Sequence, residues 1–205
     1  MNKEQLIGKI KNFWYYHKWH ALVAVLLICA TLVAVRSCQN KENPDLYLLF
    51  AREDEQLPWQ SLDLEAWLSE MTEDVNGDGE TTALVLATSN HNAINGKDLS
   101  AMLVQVNSGN AVLYMLTEET YSTLHQNGVL MDLTEFAGEN AYVEGDRYLL
   151  SASGVLEEFE FFKDDETVYY LAIRKVNGTS LEDSEKHQTQ LRLAKDILRQ
   201  LIENE

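Results

Sequence analysis

Short apolar runs alternate with helical patterns from residue 45 onward. Three runs are almost continuously apolar, which is typical of strands buried on both faces of a sheet. They are residues 45–51, 83–87 and 111–116. A helical pattern follows each run, and the first consists of Leu64, Trp67, Leu68 and Met71. We therefore predict three consecutive β-α units.

Capping and turn residues support these boundaries. Asp98 precedes the apolar stripe of the second helix, and Gly109 follows its end. Glu118 and Glu119 occupy the first turn of the third helix, where acidic side chains interact favourably with the helix dipole. Successive β-α units predict an α/β fold, with a mixed, mainly parallel sheet of about five strands and helices on both faces.

The C-terminal part of the chain follows other patterns. Residues 154–174 alternate between apolar and polar positions around a charged turn at 163–166, which predicts an antiparallel hairpin. An apolar stripe over residues 191–202 predicts a final helix that packs on the sheet. We expect a nearly buried core that consists of Leu84, Val85, Leu86, Leu113, Tyr114 and Leu116. Trp67 and Leu103 should pack on the sheet.

An apolar stretch without charged residues precedes this domain. A helix over residues 21–35 would be only about 22 Å long, which is shorter than the roughly 30 Å hydrocarbon core of a bilayer. Aromatic residues extend it, so that a helix between Phe13 and Val35 is long enough to span. Lysines are concentrated before this helix, and the positive-inside rule therefore places the N-terminus in the cytoplasm.

The predicted organisation has four parts. They are a basic cytoplasmic tail (1–12), a transmembrane helix (13–36), a linker (37–44) and an extracytoplasmic α/β domain (45–205). A cleaved signal peptide and a lipidated Cys38 are the alternatives, because a basic start and a short apolar stretch are typical of both. Arg36 stands where either cleavage site needs a small neutral residue. We therefore predict an uncleaved, single-pass anchor in the cell membrane.

Charge is distributed unevenly along the chain. The formal net charge is -17, and the segment up to Arg36 contributes five basic residues and one acid, so the remainder carries -21. An acidic domain of this kind repels phosphate backbones, which excludes nucleic acid as a partner. Basic or cationic molecules remain as candidate partners.

A polar stretch resembles the start of a calcium-binding loop. Asp74, Asn76 and Asp78 stand at alternate positions, and the carbonyl of Glu80 would be a fourth ligand. Val85 occupies the position where such a loop needs a bidentate acid. A polar turn between helix and strand is the alternative. We predict this turn, with calcium binding weak or absent and no other cofactor.

The sequence contains no recognisable catalytic motif. No histidine of the predicted domain has a second histidine or cysteine at metal-ligand spacing, and there is no nucleotide-binding glycine loop. We therefore predict no catalytic residue. Open α/β sheets bind ligands at the carboxyl ends of their strands. The candidate ligand-binding residues at these ends are Thr88, Ser89, Asn90 and Thr117.

Two segments resemble known families. Between Leu99 and Leu133, a helix and Gly109-Asn110 lead into a strand, a helix and a G-x-L-x-D-L exit, as in extracellular solute-binding proteins. The residues of this exit are Gly128, Leu130, Asp132 and Leu133. The sequence FWYYHKWH before the apolar stretch resembles uncharacterised membrane-anchored proteins of anaerobic Gram-positive bacteria. These resemblances imply a domain similar to one lobe of a solute-binding protein, which offers half of a cleft.

Three functions remain open. The first is a membrane-anchored interaction or accessory domain without catalysis, which works beside another membrane or surface protein. The second is a solute-binding or sensing domain, and the third is an enzyme of unknown class. A deep pocket at the strand ends would favour solute binding. A cleft that holds two titratable groups within hydrogen-bond reach would favour catalysis.

Overall fold

The computed structural model describes residues 43–52, 61–89, 97–138, 140–163 and 165–204, and the helical positions 15, 18, 19, 23, 25–29 and 31. The chain divides into two compact units, Met1–Asn43 and Pro44–Glu205. Most of the predicted span between Phe13 and Val35 lies outside the described residues. Within the described residues, no helix is both long and apolar enough to cross a membrane.

A mixed sheet lies at the centre of the second unit. The described part of the chain forms six strands: β1 (Leu46–Arg52), β2 (Ala83–Ser89), β3 (Leu113–Thr117), β4 (Val143–Glu144), β5 (Arg147–Leu149) and β6 (Tyr169–Ile173). Their order in the sheet is β2-β1-β3-β6-β5-β4. β1 pairs in parallel with β2 and β3, whereas β6, β5 and β4 join by antiparallel pairing.

This pairing confirms the α/β class and corrects the predicted topology. Only one half of the sheet is parallel, so the prediction of a mainly parallel sheet is wrong. The reason is that β6 follows a long irregular segment and returns beside β3 in the opposite direction, with Leu113 paired to Ile173 and Thr117 paired to Tyr169. An isolated strand carries no local signal of the direction in which it pairs.

Helices cover both faces of the sheet. They are α1 (Ser61–Met71), α2 (Lys97–Ser108), α3 (Glu118–Gln126), α4 (Thr134–Ala137) and α5 (Glu185–Glu203). Apolar residues of α1 and α5 pack with Leu48, Phe50 and Met115 on one face. Apolar residues of α2 and α3 pack with Tyr114 and Leu116 on the other face. The two-sided cover explains why β1 and β3 read as continuous apolar runs.

The predicted core is correct in β3 and partly wrong in β2. Leu113, Tyr114 and Leu116 are fully buried, and Val85 is buried as well. Leu84 and Leu86 are only half-buried, because β2 is an edge strand with a neighbour on one side. Trp67 packs against the core of the first face, and Leu103 is half-buried.

Among the described residues of 154–174, the predicted hairpin has only one strand, β6. The other arm forms 3-10 helices at Val155–Glu158 and Glu160–Phe162, after a first one at Leu150–Ala152. The buried residues of this arm are Leu156, Phe159 and Phe162. Their spacing of three matches the three residues per turn of a 3-10 helix, so the pattern was not the alternation of a strand.

We predict that Leu113→Ala lowers the free energy of unfolding by about 2 to 5 kcal/mol, because it leaves a cavity in the core on the face covered by α1 and α5. Urea denaturation of the full chain would measure the loss. Leu62→Ala is the control, since Leu62 is exposed on α1 and its loss should stay within about 0.5 kcal/mol. A loss below about 1 kcal/mol for Leu113→Ala would show that β3 is misplaced.

Candidate functional site

A cleft of about 400 Å³ lies between α3, the β4–β5 hairpin and the segment that follows α3. Its lining is formed by Tyr121, His125, Leu130, Asp132, Glu144, Gly145, Asp146 and Arg147. The spacing of Tyr121 and His125 places both on one face of α3, one turn apart. The tip of the hairpin supplies the charged residues opposite them.

Glycine shapes the tip of this hairpin. Gly145 and Asp146 connect Glu144 to Arg147, which pair across the two strands. Gly145 has φ +64°, whereas no described residue other than glycine has a positive φ. A two-residue turn with a positive φ at its first position only has the pattern of a type II′ turn, which favours glycine there. The Gly-Asp pair is therefore the local signal that could have predicted this hairpin.

The carboxylate of Asp146 holds two side chains of α3. Its Oδ1 accepts a hydrogen bond from the Tyr121 hydroxyl at 2.7 Å, and its Oδ2 accepts one from Nδ1 of His125 at 2.7 Å. Burial and the hydrogen bond to Asp146 raise the pKa of Tyr121, so its phenol stays protonated as a donor. The Asp146 side chain is 14% exposed and the His125 side chain 57%. The imidazole therefore has a fixed orientation and remains accessible to a ligand.

Arg147 contributes a positive charge beside Tyr121, and several contacts fix its position. Its guanidinium lies 4.8 Å from the ring centroid of Tyr121 and 4.7 Å from that of Tyr170. It also forms ion pairs with Glu144 at 2.5 Å and Glu118 at 3.4 Å. The hydrogen bond to Glu144 raises the pKa of Arg147. Contacts with two rings and two carboxylates hold this side chain in one position.

Of the predicted ligand-binding residues, Thr88, Ser89 and Thr117 lie at the edge formed by the carboxyl ends of the parallel strands. Ala51 pairs with both Thr88 and Leu116, so the carboxyl ends of β2, β1 and β3 are level. The structure thus brings Thr88 and Ser89 to the same edge as Thr117. The Thr117 hydroxyl is buried 3.1 Å from that of Thr120, inside the first turn of α3. Asn90 lies outside the described residues.

An ion pair occupies part of that edge. Nη1 of Arg52, at the end of β1, donates to Oδ2 of Asp165 at 2.8 Å, and the Tyr169 hydroxyl donates to the same oxygen at 2.8 Å. Burial acts to raise the pKa of Asp165. The hydrogen bonds from Thr167 and Tyr169 and the charge of Arg52 lower this pKa by more, so it lies below the usual range. The pair joins positions 113 residues apart, which no local pattern could predict.

The predicted calcium loop forms a polar turn between α1 and β2. Asp74 accepts hydrogen bonds from the amides of Gly77 and Gly79. Asn76 accepts one from the amide of Asp78, and Asp78 accepts one from the amide of Glu80. In the part of the chain that is described, no group of three or more His, Cys, Asp or Glu side chains is placed to hold a metal ion. Weak calcium binding stays a prediction.

The side chain of Asp45 also stabilises this turn, through hydrogen bonds to backbone amides. It is buried, and its carboxylate accepts hydrogen bonds from the amides of Val75 at 2.8 Å, Asn76 at 3.0 Å and Thr82 at 2.9 Å. The sequence does not predict this role, because Asp45 directly precedes the apolar residues of β1 and stands in no motif. The turn is therefore held by one buried carboxylate as well as by its own side chains.

No protein-family model, curated protein or solved structure matches the chain significantly. The resemblance to one lobe of a solute-binding protein and to anchored proteins of Gram-positive anaerobes therefore stays a prediction.

We predict that Asp165→Asn lowers the free energy of unfolding at pH 7 by about 1 to 3 kcal/mol, because Arg52 loses its charged acceptor. The folded pKa of Asp165 is depressed, so its contribution is present above the unfolded pKa of about 3.9 and is lost as the pH falls below it. The difference from wild type should thus shrink below about pH 4. Urea denaturation across pH values measures it, with exposed Glu166→Gln as control. A pH-independent difference would contradict the ion-pair origin.

We predict that the loop from Asp74 to Glu80 binds calcium with a dissociation constant on the order of 10⁻⁴ to 10⁻³ M or not at all, because three side-chain oxygens and a carbonyl fall short of six to eight ligands. Calorimetry on the full chain, compared with Asp78→Ala, measures this affinity. Micromolar binding that disappears in the variant would show that another acid completes a site.

Proposed function

We propose that the chain is a membrane-anchored accessory domain, and that its cleft between α3 and the β4–β5 hairpin binds a basic segment of another membrane or surface protein outside the cell. The observation that carries this proposal is the cleft itself, which presents acidic side chains around a rigid polar base. No catalysis is part of this function.

The rim of the cleft is negatively charged. The Glu144 side chain is 78% exposed, and Asp132 is exposed as well. Hydrogen bonds from the hydroxyl and the amide of Thr134 lower the pKa of Asp132, so this carboxylate is ionised at neutral pH. The part of the chain beyond Arg36 carries a charge of -21, which attracts basic partners over a distance.

The base of the cleft is preorganised. Asp146 is held by Tyr121 and His125, and Arg147 is held by two rings and two carboxylates. A partner that binds here does not have to order these side chains, which reduces the entropic cost of association. A rigid base with exposed acids at the rim suits a flexible basic segment.

The lining favours a protein partner over a small solute. Sites for small molecules are mostly apolar and enclose their ligand. Leu130 is the aliphatic member of this lining, and most of the other side chains are charged or polar. The lining of the cleft also does not include Thr88, Ser89 or Thr117, which were expected to bind a solute.

The membrane anchor is proposed on the sequence pattern between Phe13 and Val35. Lysines before this stretch support a cytoplasmic N-terminus. The acidic domain that follows repels anionic lipid head groups, so it should stand off the bilayer and keep its cleft accessible. An accessory protein tethered in this way meets its partner in the plane of the same membrane.

The pair of His125 and Asp146 favours a second candidate function, general acid-base catalysis. A carboxylate that receives Nδ1 of a histidine is the arrangement that orients a catalytic base. The side chain of His125 is mostly exposed, however, and Asp146 is shared with Tyr121. Because catalytic sites work best when water is excluded, we rank this candidate below partner binding.

We predict that a photo-crosslinking residue at position 132 captures a partner in intact cells, whereas one at position 203 on α5 does not. Replacing the rim acids with Asp132→Asn and Glu144→Gln should lower partner binding by roughly two- to thirtyfold, since two exposed charge pairs contribute about 0.2 to 1 kcal/mol each. Binding should also weaken with added salt. Recovery of the captured protein from purified membranes, and its rebinding to the variants, measure both effects.

Glu157→Gln with Glu158→Gln is the matched control, because it removes two exposed charges outside the cleft. Equal weakening of partner binding in both double variants would overturn the cleft as the binding site.

Protease added to intact protoplasts should digest the domain, because the domain is proposed to lie outside the cell. A protected domain would overturn the external location alone. If His125→Asn abolished an enzymatic activity of the wild-type chain and left partner binding unchanged, catalysis would be favoured instead.

A further inference from the structure

The two ring nitrogens of His125 have different surroundings. Nδ1 donates to Oδ2 of Asp146 at 2.7 Å, and because a carboxylate can only accept, a neutral imidazole keeps its proton on Nδ1. The side chain is 57% exposed and lines the cleft, so Nε2 is the nitrogen left to accept from a ligand. A neutral His125 therefore presents a hydrogen-bond acceptor to a partner in the cleft.

Protonation of His125 reverses the character of this position. With a proton on Nε2, the imidazolium has two donors and no acceptor. Histidine is the side chain that ordinarily changes its charge between pH 5 and 8, whereas ordinary carboxylates titrate near pH 4. A moderate fall in pH therefore acts on the cleft through His125.

The charges around His125 determine what this change does to a ligand. Charged and titratable side chains line the cleft with it from three elements, namely Tyr121 on α3, Glu144, Asp146 and Arg147 on the β4–β5 hairpin, and Asp132 in the segment after α3. With three carboxylates and one guanidinium, the lining has a formal charge of -2 when His125 is neutral and -1 when it is protonated. Protonation thus halves the negative charge that a basic partner meets.

We infer that His125 releases the basic partner when the pH falls, an inference that rests on the proposed function of the cleft. At neutral and alkaline pH, Nε2 accepts a hydrogen bond from an ammonium or guanidinium group of the partner. At acid pH, a proton occupies Nε2 and repels this group. The partner and the proton compete for one nitrogen, so each weakens the binding of the other.

The test is the binding of an oligoarginine peptide to the full chain in non-ionic detergent, measured by calorimetry between about pH 8 and about pH 5.5. One added like charge weakens an exposed contact by about 1.4- to 5-fold, and the loss of one hydrogen bond by about 2- to 12-fold. The dissociation constant should therefore rise at least about threefold as the pH falls. His125→Asn should remove most of this rise, because its amide can still donate to Asp146 but has no nitrogen at the position of Nε2.

His187→Asn is the matched control. His187 is a half-buried residue of α5 that does not line the cleft, and its ring nitrogens contact Ser184 and the carbonyl of Gly109. This variant should keep the wild-type dependence on pH. An equal rise in His125→Asn and wild type, or no rise in wild type, would overturn the inference and leave the cleft as a binding site.

The same titration also tests the cleft itself. If the peptide binds at neither pH, or if Asp132→Asn with Glu144→Gln does not weaken its binding, the proposed function is overturned together with the inference. These two results differ from a loss of pH dependence alone, which overturns only the role of His125.

Proton release gives a second readout that needs no variant. Because the peptide displaces a proton from Nε2, its binding near pH 6 should release protons, and its binding at pH 8 should release almost none. Calorimetry of wild type in two buffers with different ionisation enthalpies measures the number released. Proton uptake, or equal release at both pH values, would overturn the inference.

Discussion

The burial of β1 between two parallel neighbours is the constraint on which the rest of the structure depends. This strand is covered on both faces and paired on both sides, so its charged flanks must find partners at the margins of the core. Asp45 at its start receives the amides of the loop before β2. Arg52 at its end pairs with Asp165, just before β6. One strand therefore positions two distant loops.

The first half of the fold could be predicted because its signals are local. Continuous apolar runs and helical stripes, such as Leu64 to Met71, depend on neighbours only a few residues away. The direction of β6, the 3-10 segment around Phe159 and the half-exposure of Leu84 depend on which elements become neighbours in space. The spacing of three between Leu156, Phe159 and Phe162 was nevertheless present in the sequence.

The candidate site could not be predicted, for the same physical reason. His125 and Asp146 are 21 residues apart, and neither stands in a motif. Their contact arises from the turn at Gly145, which brings the hairpin to the exposed face of α3. The predicted site at the strand ends followed a general rule for parallel sheets, whereas here an ion pair and a buried threonine occupy parts of that edge. The negative charge of the domain, by contrast, follows from its composition alone. It favours basic partners both at the strand ends and in the cleft.

The antiparallel pairing of β3 with β6 has a consequence for the order of folding. β3 is complete at Thr117, but the strand that closes its second side begins at Tyr169. In a chain that emerges N-terminus first, β6 is synthesised after β1, β2 and β3, so the apolar edge of β3 has no partner strand until then. Non-local pairing of this kind is slow to form and exposes intermediates to aggregation. The arrival of β6 is therefore the step at which the nascent domain becomes protected.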